Sequence, residues 1–507
     1  MKKKLFWLLM ILTSLFLVGC SGGAGDKETL TVGLSGDAIA LDPVATNDNQ
    51  SSNVMLQIYE GLVKADKDGQ ILPSLAESYE QVDDVTYKFN LKKGVKFHNG
   101  EELKASDVVF SLKRAIEAPN VTHLFQTIDI DSVKALDDYT VEFKQTEPFA
   151  GILAALCHPG GFIVSEKAVT EAGDDFAQHP VGTNALKFVK WNRADSLELE
   201  QFADYHGTPT EYKKLTFRVI PEPSNRVIEL ESGGVDIAYD IIATDIEKVE
   251  NNEKLTLLKS LDYGETYLGF NFSKELLSDP KVREAITLAL DKDSIVKAVF
   301  HDLGQTATGI LPPTLKYSIS DTMKVKEQNI EKAKELLKEA GYPDGFSLNI
   351  STNDNKDRSD MATAMKEQLA QVGIDATINV LEWSAFNEVI KNGDQDLFMI
   401  AWTADSPDAD TFLFPCFHSS AKGEGGNYVF LEDPKVDELL EEARFEQDDA
   451  KRAEKYAEAQ EYLMEINAWI PLHNKEMTIG TRKEIGNISL SPLGFHTLTQ
   501  VSMGEAK

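Results

Sequence analysis

A regular alternation of strands and helices from residue 346 to residue 402 restricts the fold more than any other feature. The stretches "FSLNIST" (346–352), "IDATINV" (374–380) and "DLFMIAW" (396–402) have the composition of strands, and helical patterns lie between them. Strands that alternate with helices form a parallel sheet with right-handed crossovers. The last stretch is apolar on both faces, which is typical of a central strand. The sequence therefore predicts an α/β lobe built on a parallel sheet.

The remainder of the chain divides around this lobe. The first half consists mainly of short strand patterns and turns, of which "TLTVGL" (29–34) is an example, and one long amphipathic helix is predicted over 434–466. After that helix the C-terminal segment returns to strand-like sequence punctuated by glycine. A tail that rejoins the first part gives two lobes joined by two crossing strands, and such a connection acts as a hinge.

Charged side chains follow two strands of the predicted sheet. Asp405 comes just after strand 396–402, and Arg358 lies in the predicted loop after strand 346–352. Ligands of open parallel sheets bind beyond the carboxyl ends of the strands, and both loops leave the same edge. A carboxylate and a guanidinium suit a zwitterionic ligand, because one binds an ammonium group and the other a carboxylate.

The size of an extended dipeptide sets the expected distance between these two groups. Its ends lie roughly 7 Å apart at ~3.5 Å per residue, and a contact adds about 3 Å at each end. We therefore expect Asp405 and Arg358 to lie about 13 Å apart.

The segment that carries Asp405 also contains Asp408 and Asp410, which allows other interpretations. A calcium loop needs an Asx residue at its third position and glycine at its sixth, where this segment has Pro407 and Asp410, so no metal or cofactor is predicted. Asp405 and Asp408 could form a general acid–base pair, although nothing else nearby supports one. Asp408 and Asp410 are expected in a turn or helix cap.

The motifs of common hydrolases and nucleotide-binding enzymes are absent from the sequence. There is no His-Glu-x-x-His, no phosphate-binding loop and no Gly-x-Ser-x-Gly elbow, and Ser294 with Lys297 lacks the partner motifs of a Ser-x-x-Lys enzyme. Cys157 is interpreted as a small apolar residue. Together with Cys416 it permits one disulfide at most, and the spacing leaves open whether that bond forms. We therefore predict that the protein is not an enzyme.

The N-terminus indicates the compartment of the protein, and the net charge restricts its partners. Three lysines precede an apolar run over 5–18, which is typical of a secretory signal peptide and too short to span a bilayer. The formal net charge of -32 argues against a nucleic-acid partner.

The end of the apolar run, Leu17-Val18-Gly19-Cys20, resembles the bacterial lipobox. The resemblance implies a signal peptide over 1–19, a lipid on Cys20 and an anchored tether over 20–28, so that the protein is held outside the cytoplasm on the cell membrane. The resemblance also implies several acyl chains on the anchor, which matters for stable attachment because one chain binds a membrane only marginally.

Longer stretches resemble a known family. They include "ILPSLAESYEQVDDVTYKFNLKKGVKFHNGEELKASDVVFSLKRAI", "PKVREAITLALDKDSIVKAVF" and "AWTADSPDADTFLFPCFHSS", and the similarity covers nearly the whole mature chain in order. On these residues the chain is identified as a member of the family 5 extracellular solute-binding proteins, the dipeptide- and oligopeptide-binding components of bacterial ABC importers. One departure is "GTNALKF", in which Asn184, Ala185 and Leu186 replace the usual Gly-Pro-Tyr.

The resemblance implies a fold of the periplasmic-binding-protein type II class, in the large family 5 form with a two-segment hinge. Lobe I is expected to be split, and lobe II is expected to close on the ligand. The implied parts are lobe I over 29–45, 180–266 and 477–507, an inserted subdomain of lobe I over 46–179, and lobe II over 267–476.

The resemblance also implies a ligand and a binding site. In peptide binders of the family a Trp-x-x-Asp motif supplies the aspartate that binds the peptide α-ammonium, which here is Asp405. The backbone of Trp402, Thr403 and Ala404 would run beside the peptide like an added strand. Arg358 lies one residue from the arginine that binds the free carboxylate in dipeptide binders. The expected partners are a short peptide and the membrane permease of an ABC importer, and the protein is expected to be a monomer.

Other ligands and roles remain as alternatives. A metal chelate or a sugar could occupy the same fold, since a fold does not determine its ligand. A peptide-sensing receptor would use the same pocket and is a further alternative.

Overall fold

The computed structural model describes residues 28–66, 69–301 and 303–504. The predicted signal peptide over 1–19 and the lipid site at Cys20 lie outside the described residues. No helix within the described ranges is long and apolar enough to cross a membrane.

The strands belong mainly to one mixed sheet. In chain order they are β1 (Thr29–Leu34), β2 (Val63–Ala65), β3 (Ile71–Pro73), β4 (Ala76–Gln81), β5 (Thr86–Leu91), β6 (Lys134–Asp137), β7 (Thr140–Lys144), β8 (Leu186–Asn192), β9 (Ser196–Gln201), β10 (Lys214–Val219), β11 (Ile237–Tyr239), β12 (Leu255–Phe270), β13 (Gln305–Thr306), β14 (Phe346–Asn353), β15 (Ile374–Leu381), β16 (Leu397–Thr403), β17 (Trp469–Arg482), β18 (Ile485–Gly486) and β19 (Ser502–Met503). The order in the main sheet is β15-β14-β16-β12-β17-β11-β1-β10-β9-β8, and β13 pairs with β17.

Helices cover this sheet and fill the connections. In chain order they are α1 (Asn49–Ile58), α2 (Ala105–Glu117), α3 (Thr122–Phe125), α4 (Ile152–Ala155), α5 (Glu166–Ala172), α6 (Pro223–Ser232), α7 (Ala243–Glu250), α8 (Glu275–Ser278), α9 (Pro280–Ala289), α10 (Lys292–Phe300), α11 (Ile330–Glu339), α12 (Lys356–Ala370), α13 (Trp383–Asn392), α14 (Asp410–Phe417), α15 (Pro434–Phe445) and α16 (Asp449–Glu465).

Two long strands, β12 and β17, join the two halves of the main sheet. At one end β17 pairs with β11 of lobe I, and at the other end β12 pairs with β16 of lobe II. The pairing between the two long strands shifts register between Leu261 and Glu265 and again between Thr266 and Tyr267. The prediction of two lobes joined by two crossing strands is therefore confirmed, with the irregular pairing located at the crossing.

The parallel sheet predicted for lobe II is also confirmed. Strand β14 pairs in parallel with β15 along its whole length. Its residues Ile350 and Ser351 also pair in parallel with the start of β16. Each crossover is a helix, α12 or α13, as expected for strands that run in the same direction. The carboxyl ends of β14 and β16 consequently lie at the same edge of the sheet.

The prediction of one long helix over 434–466 is wrong in one respect. The structure has two helices there, α15 and α16, with a break at residues 446–448. The Asp448 side chain accepts a hydrogen bond from the backbone N–H of Lys451 and so caps the start of the second helix. The amphipathic pattern continues across the break, which is why it did not reveal the cap.

The inserted subdomain has its own sheet, in the order β4-β5-β7-β6, and its own core. The chain leaves it at Gly182, where an added Cβ would lie 2.0 Å from the Ile58 carbonyl oxygen, so only glycine fits this approach. Next to it, the Asn184 amide donates hydrogen bonds of 2.9 Å to the Leu56 carbonyl and 3.2 Å to the Tyr59 carbonyl. The departure at Asn184 therefore holds the returning chain to the end of α1.

Both described cysteines are free and buried. Burial raises the pKa of the Cys157 thiol to about 12, so the side chain is an inert apolar group, as predicted. The structure thus resolves the open question about Cys157 and Cys416 in favour of two separate thiols.

Candidate ligand-binding site

Asp405 lies where lobe II meets the inserted subdomain. It follows β16 by two residues, and its Oδ2 lies 3.1 Å from Nε2 of His123, in α3 of the inserted subdomain. The Asp405 side chain keeps 35% of its surface exposed. A carboxylate has room for further donors beyond one imidazole, so Asp405 can accept hydrogen bonds from a ligand.

Other contacts also join the inserted subdomain to lobe II. The Gln81 amide donates to the Gln447 Oε1 at 2.9 Å. The guanidinium of Arg444 lies 5.1 Å from the centre of the Phe149 ring. A ligand bound to Asp405 would therefore lie between lobe II and the inserted subdomain.

Asp408 has a different role from Asp405. Its Oδ1 accepts a hydrogen bond from the Asp410 backbone N–H at 2.9 Å, which confirms the predicted turn. The same carboxylate also forms a buried bidentate pair with the Arg452 guanidinium, at 2.5 and 2.9 Å. Because Asp408 is committed to Arg452, it cannot serve as the free partner of Asp405 in a general acid–base pair.

The cap predicted for Asp410 is wrong: it is the first residue of α14, the N-cap residue is Ala409 and no described side chain caps this helix, and Asp410 is buried. Burial raises the pKa of its carboxyl above the ordinary value, while the nearby Arg444, at 3.7 Å, opposes that shift. The side chain therefore belongs to the interior that supports the loop rather than to the ligand site.

The strand that leads to Asp405 has an unpaired edge. Strand β14 pairs with β16 only at Leu397 and Phe398, so the later residues of β16 have no strand neighbour on that side among the described residues. On the other side, Ala404 donates its backbone N–H to the Tyr263 carbonyl at 3.1 Å, and Trp402 is in register with Glu265.

The alternation of hydrogen bonds in an antiparallel pair decides which backbone groups face the unpaired edge. Since Trp402 and Ala404 direct their peptide groups toward β12, the N–H and C=O of Thr403 point the other way. The Trp402 ring is fixed by its Nε1, which donates to the Thr411 carbonyl at 3.2 Å. Of the three residues, Thr403 thus has the backbone groups best placed for an added strand.

Arg358 lies in the first turn of α12 and not in a loop, contrary to the sequence prediction. The helix starts earlier than expected because the Asn355 side chain accepts a hydrogen bond from the Arg358 N–H and caps it. The guanidinium donates to Asn353 Oδ1 at 2.8 Å, and no described carboxylate forms an ion pair with it. Burial lowers the pKa of this guanidinium below its ordinary value. A half-buried cation without an anion is suited to a ligand carboxylate.

The hinge contains a buried carboxyl, which sequence analysis did not identify. Glu265 of β12 is 1% exposed, and its Oε2 accepts a hydrogen bond from the Asn474 amide of β17 at 3.2 Å. Its Oε1 has no hydrogen-bond partner in the described part of the chain. Burial raises the pKa of the Glu265 carboxyl to about 8, against weaker opposing effects of Asn474 and the Lys292 charge.

Replacing Glu265 by glutamine should change how stability depends on pH. Between the ordinary value of 4.5 and about 8, the folded state holds a proton that the unfolded state has lost, so wild-type stability falls as pH rises through this window. Glutamine does not titrate. Relative to the wild type, the variant should therefore gain about 3 to 4 kcal/mol between pH 5 and pH 8. Urea unfolding at the two pH values measures this, and a difference independent of pH would contradict the assignment.

No group of three or more His, Cys, Asp or Glu side chains in the described residues is arranged to hold a metal ion. Asp405 is instead a partly exposed carboxylate beside an unpaired strand edge, and Arg358 is a half-buried guanidinium at the start of α12. Two lobes joined by crossing strands, with polar groups where they meet, define the class of solute-binding proteins that close around a ligand.

The chain belongs to the bacterial extracellular solute-binding proteins of family 5. The model of that family, described as "Bacterial extracellular solute-binding proteins, family 5 Middle", matches residues 70–424. The protein is therefore a substrate-binding component of an ABC importer and not an enzyme.

Individual relatives agree with this assignment over almost the whole chain. The chain is 30% identical to the glutathione-binding protein GsiB of Pectobacterium atrosepticum over 497 residues, 96% of each chain. The structure of DppA from Helicobacter pylori with the peptide STSA is similar, with a TM-score of 0.79, 28% identity and coverage of 94% of this chain and 98% of that one. AppA from Bacillus subtilis with a nonapeptide has a TM-score of 0.76, 27% identity and coverage of 94% and 99%.

Proposed function

We propose that the protein captures short peptides with a free amino end between its two lobes and delivers them to the permease of an ABC importer. The observation that carries the proposal is the position of the Asp405 carboxylate, which lies at the junction of lobe II and the inserted subdomain and remains partly exposed. It is suited to an ammonium group. Enclosure by the lobes lowers the local dielectric constant and strengthens the attraction between the two charges.

The neighbouring strand edge accounts for binding of peptides in particular. An extended peptide beside β16 would exchange main-chain hydrogen bonds with Thr403, which explains affinity without dependence on side chains. Trp402 and Ala404, whose peptide groups face β12, would hold Thr403 in position beside the peptide. We therefore expect loose preference for the side chains of the ligand.

Arg358 is proposed to bind the free carboxylate of a dipeptide. Replacing Arg358 by glutamine should weaken binding of alanyl-alanine by about tenfold or more, because an ionic hydrogen bond is lost. Binding of alanyl-alanine amide should change much less. The matched control is Lys356→Ala, which removes an exposed positive charge from the same helical turn. Equal losses for both ligands in the Arg358 variant would exclude this role.

Glutathione is a second candidate ligand, and the relative that binds it favours this choice. Glutathione is itself a short peptide with a free α-ammonium group, so Asp405 would have the same partner. The relatives crystallised with STSA and with a nonapeptide favour ordinary peptides instead. A sugar fits the Asp405 carboxylate less well, and a metal chelate would need donors that the described residues do not group together.

The experiment that tests the proposal is mass spectrometry of ligands that copurify with the protein, followed by titration with the identified compound. Recovery of peptides or glutathione supports it. Recovery of a ligand without an amino group would replace it. Loss of peptide uptake in a deletion strain would separate transport from a sensing role.

We also propose that the mature chain is a monomeric lipoprotein anchored to the cell membrane through Cys20. Mass analysis of the mature protein should show a lipid-modified N-terminal cysteine, and Cys20→Ala should release the protein from membranes. Unchanged membrane association of this variant would contradict the anchor.

A further inference from the structure

His158, in the inserted subdomain, carries a fixed hydrogen-bond donor beside the Asp405 site. The side chain is 3% exposed. Its Nδ1 accepts a hydrogen bond from the Gly160 backbone N–H at 3.0 Å, which places the proton of the neutral ring on Nε2. Burial lowers the pKa of His158 to about 4, so the ring is neutral at physiological pH and Nε2–H is a donor.

This donor has no acceptor within the described part of the chain. The Phe495 ring stands at 86° to the imidazole with a centroid distance of 6.1 Å, and an aromatic ring accepts a hydrogen bond only weakly. An almost completely buried donor without a protein acceptor is suited to a ligand atom.

His158 adjoins the pair formed by His123 and Asp405. The loop after His158 packs on the residue that precedes α3, because an added Cβ at Gly160 would lie 2.9 Å from Cβ of Val121. The charges of Asp405 and His123 both act on the His158 ring, in opposite directions. His158 therefore lies close to the His123–Asp405 pair, on the side of the inserted subdomain.

We propose that His158 is a ligand-binding residue whose Nε2–H donates to the oxygen attached next to the ligand's α-ammonium group. This inference rests on the proposed function, in which Asp405 binds that ammonium. An α-amino acyl group presents both features on adjacent carbons: the ammonium on Cα and a carbonyl or carboxylate oxygen on the next atom. In an ordinary peptide the oxygen is the first carbonyl, and in glutathione it belongs to the α-carboxylate of the γ-glutamyl residue.

The two groups together would select α-amino acyl ligands over simple amines. Asp405 alone accepts any ammonium group. His158 adds a requirement for an acceptor at a fixed distance from it, because a ligand without that oxygen would leave a buried N–H unpaired. The specificity therefore extends beyond charge to the head group of the ligand.

Two variants separate the donor from the structural hydrogen bond. His158→Asn keeps an acceptor for the Gly160 N–H and loses the donor at Nε2. His158→Gln keeps an N–H near Nε2 and loses the acceptor. We expect the Asn variant to lose ligand affinity and the Gln variant to lose mainly thermal stability.

The test pairs each variant with matched ligands in calorimetric titrations. The probes are alanyl-alanine with its thioamide at the peptide bond, and glutathione with 4-aminobutyryl-cysteinyl-glycine, which keeps the ammonium and lacks the α-carboxylate. Against wild-type protein, loss of the oxygen should weaken binding roughly tenfold in whichever pair binds. Loss of the oxygen should have little effect on the affinity of the ligand for His158→Asn, because the donor is already absent. The pair that shows this difference identifies the class of ligand.

Two results would overturn the inference. One is unchanged affinity of His158→Asn for alanyl-alanine and glutathione. The other is an equal loss for oxygen-containing and oxygen-lacking ligands, which indicates a structural role only. If either result occurs while Asp405→Asn still weakens binding, the proposed function survives. If wild-type protein binds neither alanyl-alanine nor glutathione and no peptide copurifies with it, the proposed function and this inference fail together.

Discussion

Replacing Asp405 by asparagine is expected to weaken peptide binding by roughly 2 to 5 kcal/mol, which is about 30-fold or more in the dissociation constant. The enclosed ammonium group of the ligand would lose its only full negative partner while remaining largely desolvated. Calorimetric titration with alanyl-alanine and with glutathione measures the effect. Folding should be nearly unaffected, because the only side chain paired with Asp405 within the described residues is the exposed His123.

The matched control for this prediction is Asp394→Asn. Asp394 is exposed in lobe II, so the variant removes the same charge from the same lobe without touching the site. Its affinity should differ little from the wild type, since exposed charges are screened by salt. Equal effects of the two substitutions would reduce the role of Asp405 to the general negative field of the protein.

Replacing Asp408 by asparagine is expected to destabilise the folded protein by about 3 to 5 kcal/mol. The substitution leaves the Arg452 guanidinium buried without its anion, and this cost exceeds the loss of an ordinary hydrogen bond. Asp408 side-chain exposure is 5% and that of Arg452 is 3%, so water cannot take the place of the carboxylate. Urea or guanidinium unfolding monitored by tryptophan fluorescence measures the change.

Two further variants test the explanation for Asp408. Adding Arg452→Met to Asp408→Asn should restore part of the stability, because the unpaired charge is removed. Asp360→Asn, which breaks the exposed pair with Lys356, should change stability by no more than ~0.5 kcal/mol. Comparable losses for Asp408→Asn and Asp360→Asn would show that the buried pair has no special role.

Local patterns were sufficient to predict the parallel part of the fold. Strand β16 is apolar on both faces because it is buried between β14 and β12 and covered by helices, and the flanking strands alternate with helices as the pattern indicated. The rule that ligands bind at the carboxyl ends of parallel strands then directed attention to Asp405. That rule depends only on chain direction, which periodicity reveals.

Contacts between distant segments could not be read from the sequence in the same way. Arg452 reaches Asp408 from α16, beyond a helix break that the amphipathic pattern concealed. His123 reaches Asp405 from the inserted subdomain and His158 lies close to this pair, both more than two hundred residues earlier in the chain. Neither histidine lies in a recognisable motif. His158 could be noticed only once the structure showed a buried ring with one nitrogen already occupied.

The most direct test of the central claim compares free and N-acetylated alanyl-alanine in calorimetric titrations with the wild type and with Asp405→Asn. Acetylation removes the positive charge of the ligand and keeps its peptide backbone. If Asp405 binds the α-ammonium group, acetylation should weaken binding to the wild type by about 30-fold or more and should have little further effect on the variant. An equal loss in both proteins, or no loss in the wild type, would show that the ammonium group is bound elsewhere and would contradict the account.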